Sequence, residues 1–222
     1  EYTAIMFKIL FSLFIFFINF INLYAEEVKV FDFNAEGLQE LQVRKVRGAN
    51  QETVYTSGTN DFGAFLMAET KNGAASGLGK EVKINLNSTP FINITWKVEQ
   101  GIEGINERSK KGHDFAARVF VIKKTGLTPL SNKAINYVYS SNEIVGQYWR
   151  SPYTKSSIDY VLSSTLENKN QWITVKANVK DHFKELHNLN IDEISGVAIM
   201  TDTDQTEKEV ISYYQNIYFS SN

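Results

Sequence analysis

Apolar residues alternate with polar ones along most of the chain after residue 25, and a period of two is the pattern of β-strands. Between residues 92 and 98 every second side chain is large and apolar, which predicts a strand with one buried face. The segment 115–122 is apolar on both faces except for Arg118, as expected for a central strand. About a dozen such segments follow one another without helical crossovers. The pattern therefore predicts an all-β protein, an antiparallel β-sandwich of jelly-roll type.

One segment has a helical period instead. Val179, Phe183 and Leu186 are spaced four and three residues apart, and Asn178 precedes them as a candidate N-cap. We expect one short helix here, covering an end of the sheets. No internal repeat or low-complexity linker interrupts the strand pattern, so residues 26–222 are predicted to form a single β-sandwich domain.

The first 25 residues have the three parts of a secretory signal peptide. Lys8 precedes an uncharged run over residues 9–21, and Ala25 precedes two glutamates. The run is shorter than the roughly 20 apolar residues of a membrane span. We expect cleavage after Ala25, a periplasmic or secreted product and no stable membrane span after processing; an uncleaved anchor is the alternative. Met6 is the first plausible initiator methionine, so residues 1–5 are expected to lie upstream of the true start of the protein.

The composition excludes several classes of function. The chain has no cysteine, so disulfides, thiolate metal sites and thiol nucleophiles are ruled out. Its 23 basic and 25 acidic residues give a net charge of −2, without the basic stripe of nucleic-acid-binding proteins. We therefore expect no nucleic-acid partner.

A carboxylate-rich loop follows the apolar strand that ends near residue 200. Asp202, Asp204 and Thr206 match the nucleophile loop of haloacid-dehalogenase-type phosphatases as a string, but too little chain follows Thr206 to build that fold. Two interpretations remain. The Asp side chains bond their own backbone in a turn, or the three residues contribute oxygen ligands to a calcium ion.

Arg118 lies among apolar residues, where an unpaired guanidinium is costly. Asp114, four residues earlier, is the nearest carboxylate in sequence and the predicted partner. The pair is either a structural ion pair or part of a binding cleft. Tyrosines and tryptophans cluster between residues 137 and 153, including Tyr137, Trp149 and Tyr153; such side chains suit sugar rings and sandwich cores alike.

Several segments occur in an order that resembles a bacterial family known as domain of unknown function 3047. These segments are NGAASGLGKEVKI, ITWKVE, KKGHDFAARVFVI, AINYVYSS, SPYT, GVAIMTDTDQT and SYYQNIYF. The resemblance covers residues 30–219, and its most specific parts are 114–118, 136–137 and 202–206. The family often has Asp where His113 stands and Trp where Tyr139 stands. The resemblance implies an exported protein and no particular reaction.

These observations predict an exported ligand-binding β-sandwich whose ligand is a glycan or another cell-envelope component. The candidate ligand-binding residues are Asp114, Arg118, Asn136, Tyr137, Trp149 and Tyr153. One alternative is a polysaccharide-acting enzyme that uses two of Glu107, Asp114, Asp202 and Asp204 as paired carboxylates across a cleft. Another is a non-catalytic envelope module that contacts other proteins. A tyrosine-lined groove would favour binding, and facing carboxylates would favour hydrolysis.

Overall fold

The computed structural model describes residues 26–128 and 131–222. Within these ranges, no helix is both long and apolar enough to cross a membrane. The predicted signal peptide, residues 1–25, lies outside the described residues.

The described residues form strands, three short helices and one 3-10 turn. The strands are β1 (Glu27–Lys29), β2 (Gln42–Lys45), β3 (Val54–Asn60), β4 (Gly63–Thr70), β5 (Ala75–Asn85), β6 (Phe91–Gln100), β7 (Ala117–Lys123), β8 (Lys133–Ser140), β9 (Tyr148–Arg150), β10 (Ser157–Ser164), β11 (Ile173–Asn178), β12 (Glu193–Asp202) and β13 (Val210–Ser220). The helices are α1 (Ala35–Gln39), α2 (Thr165–Asn168) and α3 (Val179–His187), and the 3-10 turn is Lys110–Gly112.

The strands form two sheets. The six-stranded sheet has the order β11-β6-β13-β4-β3, with β1 also paired to β13, and the seven-stranded sheet has the order β2-β5-β12-β7-β8-β10-β9. Neighbouring strands are antiparallel except β8 and β10, which are parallel. The predicted all-β sandwich of jelly-roll type is confirmed.

The core lies between the inner faces of the two sheets. Ile92, Ile94, Trp96 and Val98 of β6 have no exposed surface, as the alternation predicts. They belong to one apolar cluster with residues of the seven-stranded sheet such as Val119.

The outer face of the seven-stranded sheet is polar where β7 and β12 meet. Since Val119 and Val121 of β7 face the core, Arg118 between Ala117 and Val119 points outward. On β12, Thr201 points inward and Asp202 outward by the same alternation. Residue 118 lies opposite residue 200 in the antiparallel register. This face holds the candidate site.

The predicted helix is confirmed as α3. Asn178 Oδ1 accepts a hydrogen bond from the backbone N–H of Asp181, and Asn188 ends the helix with a φ of 52°. The helices α1 and α2, of five and four residues, were not predicted. Between β8 and β9 the chain turns at Gly146, whose φ is 88°.

Replacement of Trp96 tests the core. Its indole Nε1 donates a hydrogen bond to Ser163 Oγ at 2.8 Å and its ring packs on Tyr139, so Trp96→Ala leaves both a cavity and an unpaired hydroxyl. We expect a loss of about 3–5 kcal/mol in the free energy of unfolding, measured by urea denaturation. Trp172→Ala is the control, because this ring is only half-buried, against Phe65, and its loss is expected to be smaller. Equal losses would contradict the assigned position of the core.

Candidate functional site

Arg118 pairs with Asp202, so the predicted pairing with Asp114 is wrong. The guanidinium Nη2 donates a hydrogen bond to Asp202 Oδ2, and the two side chains are only 5% and 2% exposed. The reason is the strand register: Asp202 lies two residues beyond the position opposite Arg118 on the adjacent strand. Side chains on adjacent strands are closer than side chains four residues apart along one strand. Asp114 also precedes β7, which begins at Ala117.

Asp114 instead holds the loop that follows β12. Its carboxylate accepts hydrogen bonds from the backbone N–H of Gln205 at 3.1 Å and of Thr206 at 2.7 Å. The Thr206 hydroxyl donates a further bond of 2.7 Å to the same carboxylate. Burial raises the pKa of Asp114, and these hydrogen bonds oppose that rise. The loop is therefore fixed by a buried acceptor from another part of the chain.

Asp202 is a buried carboxyl with a strongly shifted pKa. Its Oδ1 accepts a hydrogen bond from the backbone N–H of Phe115 at 3.3 Å. Burial raises its pKa to about 7; Arg118 opposes the rise, and the negative charges of Asp114 and Asp204 add to it. Burial and the two neighbouring carboxylates thus disfavour the ionised form of Asp202, which the Arg118 guanidinium favours.

A second buried polar network lies on the same face. His113 Nε2 is 2.8 Å from Asp159 Oδ2, and the Asn136 amide donates a 2.7 Å hydrogen bond to Asp159 Oδ1. The Ser157 hydroxyl donates in turn to the side-chain Oδ1 of Asn136 at 3.1 Å. Sequence reasoning missed Asp159, although an aspartate within the apolar strand segment 158–162 is a signal that could have found it.

The two networks meet at a cavity of about 360 Å³. Of the predicted residues, the cavity is lined by Arg118, Asn136, Tyr153, Asp202 and Asp204. His113 and Gln205, which were not predicted, also line it. Tyr153 is 53% exposed, its hydroxyl donates to the Lys110 carbonyl at 3.0 Å, and its ring meets the imidazole of His113 edge-on at 5.4 Å. The cavity thus has a buried polar floor and an exposed aromatic ring beside it.

Four predicted site residues do not line this cavity. Tyr137 faces the sandwich core, where its hydroxyl lies 3.0 Å from His182 Nδ1. Trp149 stacks on Phe115 with 6.4 Å between the ring centroids. The Thr206 hydroxyl donates a hydrogen bond to the Asp114 carboxylate, so these two side chains bind each other. Both aromatic side chains are therefore engaged with the protein itself.

The carboxylates of this region fit a calcium ion poorly. Asp114, Asp202 and Asp204 each place one oxygen within 4.8 Å of the others. However, the oxygens of Asp114 and Asp202 already accept hydrogen bonds from the loop, from Phe115 and from Arg118. A calcium ion would compete with the Arg118 guanidinium for Asp202. The contacts favour the turn interpretation, and the calcium site of Asp202, Asp204 and Thr206 stays a prediction.

A family model described as "Protein of unknown function (DUF3047)" matches residues 39–218. No curated protein sequence matches the chain significantly.

Solved structures that resemble this chain include carbohydrate-binding modules and glycoside hydrolase domains. The family 30 carbohydrate-binding module of a Clostridium thermocellum cellulosomal cellulase has 9% identity and a TM-score of 0.43, covering 89% of this chain and 94% of that chain. A cellulase derived from Rhodothermus marinus Cel12A has 10% identity and a TM-score of 0.47, covering 88% and 96%. The glycoside hydrolase domain of Endo-D from Streptococcus pneumoniae R6 has 8% identity and a TM-score of 0.42, covering 82% of this chain and 21% of that chain. This chain thus spans about a fifth of the Endo-D chain.

A double-mutant cycle tests the partner of Arg118. Arg118→Met and Asp202→Asn each leave one buried polar group without its partner, and each is expected to cost about 3–5 kcal/mol in the free energy of unfolding. The double variant is expected to lose less than the sum of the single losses, because the second substitution removes an already broken pair. The control cycle combines Arg118→Met with Asp114→Asn and should be closer to additive. Stronger coupling to Asp114 would restore the pairing predicted from the sequence.

Calcium titration tests the loop. Since the carboxylate oxygens are occupied by hydrogen bonds, we expect the melting temperature to be the same in EDTA and in millimolar calcium. A ligand that binds only the folded state raises the melting temperature by mass action. A rise with calcium that disappears in Asp204→Asn would establish the metal site instead.

Proposed function

Because the chain belongs to the DUF3047 family of proteins of unknown function, whose name assigns no activity, we propose a function from the site itself: the protein binds a glycan in the cavity beside Tyr153. We further propose that it does so outside the cytoplasm, after removal of the signal peptide. The observation that carries the proposal is a buried polar floor with an unused donor. The Nε of Arg118 is buried and has no hydrogen-bond partner among the described residues.

A buried polar atom without a partner costs free energy that a ligand can recover. Arg118 is 4% exposed, yet its guanidinium lines the cavity. A guanidinium offers five N–H donors in a planar fork. Among residues 26–128 and 131–222, only its Nη2 finds acceptors, namely Asp202 and the Met200 sulfur. Glycan hydroxyls accept as well as donate hydrogen bonds, so they suit a floor that also contains Asn136 and Asp204.

Aromatic surface supplies the second element of recognition. Tyr153 is half-exposed beside this floor, and Phe120 and Met200 add apolar area to the lining. A tyrosine ring has an apolar face and a polar tip, which suits a ligand that is apolar on one side and hydroxylated at its edges. Sugar rings have this character, and small inorganic ligands do not.

The same cavity supports a second candidate, hydrolysis of a polysaccharide by two carboxyl groups. Asp202 and Asp204 line the cavity with oxygens within 4.8 Å of each other, and the pKa of Asp202 is raised to about 7, as for a general acid. Retaining glycosidases place their carboxyl groups about 5–5.5 Å apart. The other two candidate carboxylates do not line the cavity: Glu107 accepts hydrogen bonds from Ser140, Ser141 and Asn142, and Asp114 holds the loop. Because Asp202 is engaged with Arg118 and Phe115, binding is the function that the contacts favour.

A glycan array followed by calorimetry tests the proposal. Tyr153→Ala removes the exposed ring, and we expect the affinity for the glycan found on the array to fall about tenfold or more, equivalent to roughly 1.4 kcal/mol. Tyr148→Ala is the matched control: this ring is 56% exposed on the edge strand β9 but stacks on Tyr160 and does not line the cavity.

The melting temperatures of both variants should stay close to that of the unaltered protein. Binding that is equally insensitive to both substitutions would place the ligand elsewhere. Release of reducing ends from the bound glycan, lost in Asp204→Asn, would show that the hydrolytic alternative is correct.

A further inference from the structure

A second cavity, of about 570 Å³, lies on the same outer face, two residues further along the same strands. It is lined by Ile122 of β7 and Ala198 of β12, each two residues from a lining residue of the first cavity. These are Phe120 and Met200, and residues two apart on a strand share a face. Ala198 is opposite Phe120 in the register, so the two cavities share their strands. Together they form a groove along β7 and β12, which we call the outer groove.

On β5, Gly79 lines the floor of the outer groove without a side chain. Its φ is not positive, so the backbone conformation does not require glycine there. A Cβ at Gly79 would lie 3.4 Å from the Cβ of Ala198 and 4.0 Å from the Cγ of Arg44, which is close to ordinary contact. A Cβ therefore fits at Gly79, and a longer side chain there would extend from the floor into the groove.

The outer groove is more basic than the rest of the protein. Its lining includes five basic side chains, Arg44, Arg47, Lys80, Arg118 and Lys124, and three acidic ones, Glu81, Asp202 and Asp204. The chain as a whole has a net charge of −2, so the groove has the opposite sign.

Two of the basic side chains have no acidic partner. Arg44 donates to the neutral amide oxygen of Gln42 at 2.8 Å, and within the described residues neither Arg44 nor Arg47 has a carboxylate at ion-pair distance. Lys80 and Lys124 are paired with Glu40 and Glu81, each at 2.9 Å. Arg44 and Arg47 are therefore free to pair with anionic groups of a ligand, and guanidinium groups bind carboxylate and sulfate oxygens in a bidentate manner.

We propose that the ligand is an acidic polysaccharide, a chain of sugars bearing carboxylate or sulfate groups, which lies along the outer groove; this inference rests on the proposed glycan-binding function. Arg44 and Arg47 pair with its acidic groups, the glycine floor admits its rings, and the Arg118 cavity binds one end. A nucleic acid, with one phosphate per nucleotide, would require a denser basic surface than these groups provide.

Binding assays with the purified protein and four probes test this inference. Polygalacturonate carries carboxylates, heparin carries sulfates as well, cello-oligosaccharides are neutral, and single-stranded DNA is a non-glycan polyanion. We expect binding to polygalacturonate, heparin or both, weakened by added salt, with the neutral probe at least tenfold weaker. Binding of polygalacturonate would show that carboxylates are sufficient, and binding of heparin alone would show that sulfate groups are required.

Two variants locate the binding. Gly79→Val fills the groove floor and should weaken binding of the acidic probe tenfold or more; Arg44→Gln, at an exposed side chain, should weaken it several-fold without change in melting temperature. Lys176→Gln is the control, because it removes the same charge on the other sheet.

Equal binding of neutral and acidic glycans, or no effect of either groove variant, would overturn the acidic-ligand inference and leave glycan binding intact. Tighter binding of DNA than of any glycan would overturn both proposals, and binding of none of the probes would overturn the acidic-ligand inference.

Discussion

The candidate site depends on one buried ion pair, that between Arg118 and Asp202. A guanidinium that is 4% exposed on a sheet face needs a carboxylate partner, since an unpaired buried charge is among the most destabilising features in a protein. The partner comes from the neighbouring strand β12, so the pair specifies the relative position of the two strands at the point where β7 begins and β12 ends. That position determines where the loop after β12 begins. Asp114 then fixes the loop by accepting hydrogen bonds from its backbone N–H groups. One buried pair and one buried acceptor thus determine the shape of the cavity.

A buried ion pair is also an inefficient way to stabilise a fold. Replacing a buried ion pair by apolar side chains of similar volume is often neutral or stabilising. Here Arg118 also lies over the rings of Phe115 and Phe120, with its Cζ 5.0 and 5.4 Å from their centroids, so an apolar residue would pack well in its place. The guanidinium retains a buried Nε without a partner. This costly charged group, with its unused donor, is the feature on which the proposed binding function rests.

The sequence predicted what depends on local spacing and failed where register decides. Trp96 and its neighbours on β6 show a period of two, and Val179 and Phe183 a period near four, so β6 and α3 were found. The strand β3, with the sequence VYTSGTN, has little apolar alternation, so local spacing gives almost no signal for it. The partner of Arg118 was assigned wrongly because Asp114 is near in sequence whereas Asp202 is near only across two paired strands. Cross-strand neighbours depend on the register of the whole sheet, which no single segment contains.

Gly58 and Gly79, on the outer faces of the two sheets, differ in which atoms surround them. This contrast supports the proposed placement of the ligand on the seven-stranded sheet. On the six-stranded sheet, Gly58 is covered by the ring of Phe65, to which a Cβ would come within 2.5 Å. That ring packs on Trp172 and Tyr213, so the protein covers this face with its own aromatic side chains. On the seven-stranded sheet, the three atoms nearest to a Cβ at Gly79 are the Ala198 Cβ at 3.4 Å, the Val197 carbonyl oxygen at 3.9 Å and the Arg44 Cγ at 4.0 Å. A glycine in a strand interior weakens the strand and often marks a place where a ligand or another backbone approaches closely, which is the role that the proposed groove gives to Gly79.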